Sequence, residues 1–273
     1  MSRSDSPSQS PTPPGGRPPG TPSLGIALGV VVVYSTVFKV IAASSGIPYT
    51  DWFATPGNVW RCAVLPLAGG TLVLAAFLLS SRWDGIFRDR PRLSWSGFFW
   101  VPVAAFAVGF VLHLVFVSWL DVTPDFLLPI LTAGVLVGFC EETLFRGILL
   151  RSLRTDGRSE ATAVIGTSAA FGLFHLTNII TGSPAAAVLN QVVLATFSGA
   201  VLYLFRRRSG LLVVGMIAHG LWDVSLFLPS VTDSLAGSLT GLATAIIVGA
   251  LGLATLIVVG IRERHVQASA DTA

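Results

Sequence analysis

Charge is what this chain has least of: only 11% of its residues are Asp, Glu, Lys or Arg. A soluble globular domain carries roughly a quarter, so these charges are too few to coat a surface facing water. Hydrophobic residues make up 52% of the 273, in runs too long for a soluble core. The solvent that matches this balance is lipid. Cysteine is scarce as well. Cys62 and Cys140 lie in or beside apolar runs, which excludes a disulfide-built scaffold and leaves two packed thiols. The formal net charge of +3 does not gather into one basic soluble face, so nucleic acid is excluded as a partner.

Residues 1–23 are rich in Ser, Pro and Gly and hold almost nothing that could form a core. They read as a disordered tail. The apolar run that follows is longer than the core of a signal peptide, so a retained first helix is expected. A helix needs about 20 mainly apolar residues to cross the hydrocarbon. Such segments run from Leu24 to Ala43, Val59 to Ser80, Gly97 to Leu120 and Phe126 to Leu150. Four more run from Ala161 to Ile180, Ala185 to Phe205, Leu211 to Leu228 and Leu235 to Ile261. An open sheet could not satisfy its backbone in lipid, so the fold class is all-α, a polytopic transmembrane bundle of about eight helices. It occupies residues 24–262, and 263–273 read as a cytoplasmic C-terminal tail.

The arginines test that count. Arg82, Arg88, Arg90 and Arg92 follow the second helix, Arg151, Arg154 and Arg158 the fourth, Arg206, Arg207 and Arg208 the sixth, and Arg262 and Arg264 the eighth. Arg3 and Arg17 lie in the tail. The intervening connections carry Asp51, Asp121, Asp125 and Asp233, with Arg61 as their one nearby basic residue. Cytoplasmic loops collect Arg and Lys, so the pattern predicts an integral protein of the cell membrane with both termini cytoplasmic. The Arg206–Arg208 run reads as part of this topology signal.

Few ionisable residues remain inside the spans: Lys39, His113, Glu141, Glu142, Arg146, His175, His219 and Asp223. A charge at the centre of a spanning helix costs on the order of 2.5–3.5 kcal/mol, so these groups must pair or face a watery cavity. Glu142 and Arg146 are four apart and can form an ion pair on one helix face. Glu141 lies about 100° away around that helix and is left for another task. His219 and Asp223 are also four apart. Gly147, Gly172 and Gly220 would let the helices approach closely. His113 reads as a packing residue, Lys39 as snorkelling or paired, and Asn190 and Gln191 as interhelical hydrogen-bonding groups. Depth fits less well. Glu141 and His219 lie about 14 and about 12 Å from the cytoplasmic helix ends, whereas His175 lies about 21 Å in.

Carboxylates and imidazoles gathered in a dry bundle suit the activation of water, with a glutamate as general base and a histidine orienting the water or stabilising an oxyanion. Two His and a carboxylate would also suit a catalytic zinc with an open position. The candidate metal ligands are Glu141, His175 and His219; the cofactor is either a divalent metal such as zinc or none.

Glu141-Glu142-Thr143-Leu144-Phe145-Arg146-Gly147 resembles the Glu-Glu-x-x-x-Arg motif of the CPBP (CAAX protease and bacteriocin-processing, or Abi) family of intramembrane proteases. Phe171 to His175 resembles its Phe-x-x-x-His motif, and His219 to Asp223 its His-x-x-x-Asn or Asp motif. The three occur in family order within about residues 126–228. The resemblance implies a membrane-embedded endopeptidase acting on a membrane-associated peptide or protein. Glu141 and His175 would activate the water, and His219 and Asp223 would line the site and stabilise the oxyanion or bind metal. Glu142 and Arg146 would hold its geometry. The family is often called metalloprotease, and a metal-free glutamate mechanism has also been proposed for it. Two other functions stay open on the residues alone: a proton-coupled transporter, and a non-catalytic membrane partner protein.

Overall fold

The computed structural model describes residues 21–83, 85–89, 94–232 and 234–271. Residues 1–20 of the expected disordered tail, with Arg3 and Arg17, lie outside them, as do Arg90, Arg92 and Asp233.

Eight helices long and apolar enough to span a membrane follow one another among the described residues. They are α1 (Leu24–Ser44), α2 (Pro56–Ser81), α3 (Gly97–Val115), α4 (Pro124–Thr155), α5 (Glu160–Thr181), α6 (Ala185–Ser209), α7 (Leu212–Val231) and α8 (Leu235–Asp271). The all-α bundle is the fold observed, and no strand occurs among the described residues. Where the ends differ from those expected, interactions other than hydropathy set them. Helix α3 stops at Val115, before a short 3₁₀ turn at Trp119–Asp121. Helix α4 runs on past Leu150 to Thr155, and α8 past residue 262 to Asp271, taking in most of the expected tail.

Ser23 caps α1, its hydroxyl accepting from the Ile26 N–H at 3.3 Å. Within α2 the turn Trp60–Val64 widens to π geometry, and the Leu65 N–H reaches back to the Trp60 carbonyl. Pro66 follows and has no N–H to offer Cys62, so the ordinary ladder is already broken there. A longer π stretch, Glu142–Leu149, begins between the two adjacent acids of α4, Glu141 and Glu142.

The most extensive pairing joins α4 to α7, followed by α5 with α6 and α6 with α8. Glycine sets the α4–α7 approach. A Cβ at Gly220 would stand 2.5 Å from the Gly134 carbonyl oxygen, and one at Gly138 would run into the Met216 carbonyl. Gly172 packs α5 on α6 in the same way, its missing Cβ lying 2.6 Å from the Val192 carbonyl oxygen. With no hydrophobic drive between helices in lipid, such backbone approach is what holds them together. Gly147 makes room for side chains rather than backbone: it fits under Ile86 of the α2–α3 connection and Leu212 of α7.

The basic connections meet at one end of the bundle. Asp89 pairs with Arg154 and lies 3.7 Å from Arg206. Arg207 donates to the Ser94 carbonyl at 3.0 Å, and Arg262 to the Ser94 hydroxyl at 2.6 Å. Glu263 accepts the Glu160 and Ala161 N–H groups at 2.7 Å each, capping α5. Arg206 and Arg207 are more than a topology signal. Both are buried, and Arg206 donates to the carbonyl of Arg146 inside the π stretch and to that of Gly85. At the opposite end Ser234 donates to the Phe116 carbonyl at 2.7 Å, and Gly182 lies beside Pro48.

Candidate active site

The π stretch of α4 buries Glu142 and Arg146 completely. Arg146 Nη1 donates to Glu142 Oε1 at 2.8 Å, and Nη2 to the Gly199 carbonyl on α6 at 2.9 Å. The guanidinium also lies over the Phe171 ring, 4.3 Å from its centroid. Glu142 Oε1 accepts a second hydrogen bond, from Nδ1 of His219 on α7, at 2.9 Å. A side chain at Gly215, one turn before His219, would press on Glu142 Oε2 at 3.1 Å. The Glu142–Arg146 pair thus ties three spans together, and the expected ion pair is present.

Because Nδ1 of His219 is turned to Glu142, Nε2 faces the other way. It lies 3.8 Å from Glu141 Oε2 and 3.7 Å from Asp223 Oδ2. Both separations exceed a hydrogen bond but allow one water to touch either pair of atoms. His175 sits where α5 tightens from α to 3₁₀ geometry. Its Nδ1–H donates to the Phe171 carbonyl at 2.9 Å, which leaves Nε2 as the available nitrogen. Phe171 separates the two imidazoles and meets both edge-on, with ring centroids 5.2 Å from His175 and 5.5 Å from His219. The aromatic residue four before His175 is therefore a spacer as well as a floor for Arg146.

Glu141, His175, His219 and Asp223 all line one cavity of about 530 Å³, while Glu142 and Arg146 stand behind its wall. Measured from the helix ends as they are, Glu141 lies fourteen residues before Thr155 and His175 fifteen after Glu160, about 21 and about 22 Å, so these two now agree. His219 lies only seven after Leu212, about 10 Å, yet its Nε2 is 3.8 Å from Glu141 Oε2, so the helix ends do not all stand at one height.

Among the polar lining residues not expected at the site are Lys39, Asn178 and Gln191. Lys39 Nζ donates to Asn178 Oδ1 at 2.7 Å, and Asn178 Nδ2 donates to Gln191 Oε1 at 2.9 Å. Gln191 does bond between helices as expected, and Asn190 lines the same cavity. Tyr49, in the connection after α1, completes this side; burial raises its phenol above the ordinary value, and a hydrogen bond with Gln191 acts against the rise. The available signal was Asn178 three residues after His175, and a charge in the otherwise apolar first span. His113 is outside the cavity, with Nδ1 2.8 Å from the Ser225 hydroxyl, as a packing residue should be.

No group of three His, Cys, Asp or Glu among the described residues is placed to hold an ion. His175 and His219 each have Nδ1 engaged, by the Phe171 carbonyl and by Glu142, and keep Nε2 on the cavity. No chemical step below runs through a metal.

No curated protein and no solved structure matched the chain. Residues 123–225 match the family described as Rce1-like, type II CAAX prenyl endopeptidase Rce1-like. That stretch runs from the start of α4 through the second half of α7 and contains all three motifs. Over the segment that supplies the acids and imidazoles of the cavity, this chain is thus similar to the CAAX-protease family of intramembrane peptidases, as its motifs indicated.

Proposed function

We propose that the protein is an intramembrane endopeptidase that hydrolyses a peptide bond of a membrane-associated substrate with water activated by Glu141 and His175. The observation that carries this reading is the convergence of Glu141, His175, His219 and Asp223, from three spans, on one cavity. Glu141 takes a proton from the water while His175 Nε2 accepts its other hydrogen and fixes its direction. The resulting hydroxide adds to the carbonyl carbon of the bound peptide. His219, held from behind by Glu142, stabilises the oxyanion through Nε2–H. Asp223 orients His219 and the substrate from the same face of α7. Collapse breaks the C–N bond as Glu141 passes its proton to the leaving nitrogen. The substrate class nearest the family description is a CAAX-type terminus.

The reading is tested by reconstituting the full chain in liposomes with prenylated and unprenylated CAAX peptides in ¹⁸O-labelled water. Cleavage with label in the new carboxyl group is expected. Intact peptides, with the protein folded and the label unincorporated, would remove the peptidase reading.

A further inference from the structure

The cavity contains a charge that water activation does not use. Lys39 is the one lysine of the chain, buried in α1 with 7% of its surface exposed. Its ammonium meets the Asn178 carbonyl oxygen at 2.7 Å and lies 5.2 and 5.9 Å from the ring centroids of Phe38 and Trp52. All three neighbours are neutral. Among the described residues, no ion pair includes Lys39. An ammonium has three donors, and Asn178 occupies one.

A neutral donor would satisfy Asn178 equally well and would not incur the cost of placing a cation in a span. Glu141, on the same cavity, acts on this charge but from beyond ion-pair distance, which leaves the ammonium open to an anion brought by a ligand. The lysine is also held in position. Asn178 accepts from it with its oxygen and spends its amide nitrogen on Gln191, so neither amide can turn without losing a bond.

Its position relative to the reacting water follows from α5. His175 and Asn178 belong to one 3₁₀ stretch, His175–Thr181, where residues three apart are eclipsed and separated by about 6 Å along the axis. Both line the cavity. An extended peptide advances about 3.3 Å per residue, so an anion at Lys39 would lie on the order of two residues from a bond held at His175.

We propose that Lys39, fixed by Asn178 and Gln191, is a specificity subsite that binds a substrate carboxylate close to the cleaved bond. Either the terminal carboxylate or an acidic side chain supplies that chemistry. The inference rests on the peptidase reading and adds to it what the pocket selects.

The test uses the full chain in liposomes and three membrane-anchored peptides: a free C-terminal acid, its amide, and an amide with Glu near the terminus. Binding is followed by fluorescence anisotropy, alongside KM and kcat. Wild type is expected to bind at least one of the two anionic peptides about tenfold or more tightly than the plain amide, and the preferred one identifies the source of the carboxylate. Lys39→Met should abolish that preference, and Lys39→Arg should retain most of it. Equal binding of all three peptides by wild type would overturn the subsite without any variant. So would a preference that survives in Lys39→Met, or a kcat lost on every peptide alike, which would assign the lysine to Glu141 instead. Because binding is read without turnover, discrimination in the absence of cleavage would leave the subsite standing and sink the peptidase reading.

Discussion

Nδ1 of His219 and Oε1 of Glu142 lie 2.9 Å apart across the contact between α7 and α4. The same carboxylate oxygen receives Arg146 at 2.8 Å. The bond decides which nitrogen of His219 faces the cavity, so the second glutamate of the motif acts on the site without lining it. Two adjacent acids thus have separate tasks: Glu142 is spent on the scaffold, and Glu141 faces the cavity.

That division predicts opposite phenotypes for neighbouring residues. Arg146→Ala should leave the buried Glu142 with His219 as its one remaining hydrogen-bond partner among the described residues, strip the Gly199 carbonyl of its donor, and destabilise the protein by about 3–5 kcal/mol. Thermal unfolding in detergent should show a large fall in Tm. Glu141→Gln should leave Tm near wild type. Equal melting curves for Arg146→Ala and wild type would contradict the clamp.

The α4–α7 contact makes a second prediction. A Cβ at Gly220 would meet the Gly134 carbonyl oxygen at 2.5 Å, whereas one at Gly25 would meet nothing within 4 Å. Gly220→Ala should therefore push α7 away, cost about 1–3 kcal/mol through overpacking, and lower peptide cleavage. Gly25→Ala should change neither stability nor cleavage. If both variants behaved alike, the backbone approach would not be what positions His219.

Arg206 and Arg208 are two residues apart but differ in surroundings. Arg206 is buried against the Arg146 and Gly85 carbonyls, while Arg208 lies over the exposed side of Trp95 and Trp100, 5.8 and 5.6 Å from their centroids. Arg206→Ala should lower Tm well beyond Arg208→Ala, because it strips a partner from buried carbonyls, at about 1–3 kcal/mol each. Matching melting curves would return Arg206 to a topology signal alone.

The clustering of Asp89, Arg154, Arg206, Arg207 and Arg262 at one end of the bundle predicts that end to be cytoplasmic, since basic residues accumulate there. Reporter fusions at the two termini should then both be active only as cytoplasmic reporters. A fusion active on the opposite face would reverse or break the topology.

How much of this was legible beforehand varied with the kind of interaction. The spans were readable because lipid demands length and apolarity from each segment independently, and all eight begin within three residues of where hydropathy placed them; α1, α3, α6 and α8 begin on the expected residue. The Glu142–Arg146 pair was readable because it is local, four residues apart. What the pattern could not carry was long-range. The π geometry of α4, the burial of Arg206 and Arg207, and the Lys39–Asn178–Gln191 chain each depend on helices that meet only in the folded bundle. The end of α4 was drawn too early for the same reason. Arg154 is apolar in no scale, yet it stays helical because Asp89 and Glu160 partner it.

The most direct measurement of the central claim is kcat for wild type and Glu141→Gln on one membrane-anchored peptide in liposomes. Substitution of amide for carboxylate preserves shape but removes the base, so kcat should fall by about 10²–10⁴-fold while Tm and peptide binding stay close to wild type. Undiminished turnover in a folded Glu141→Gln protein would mean that the water is activated elsewhere.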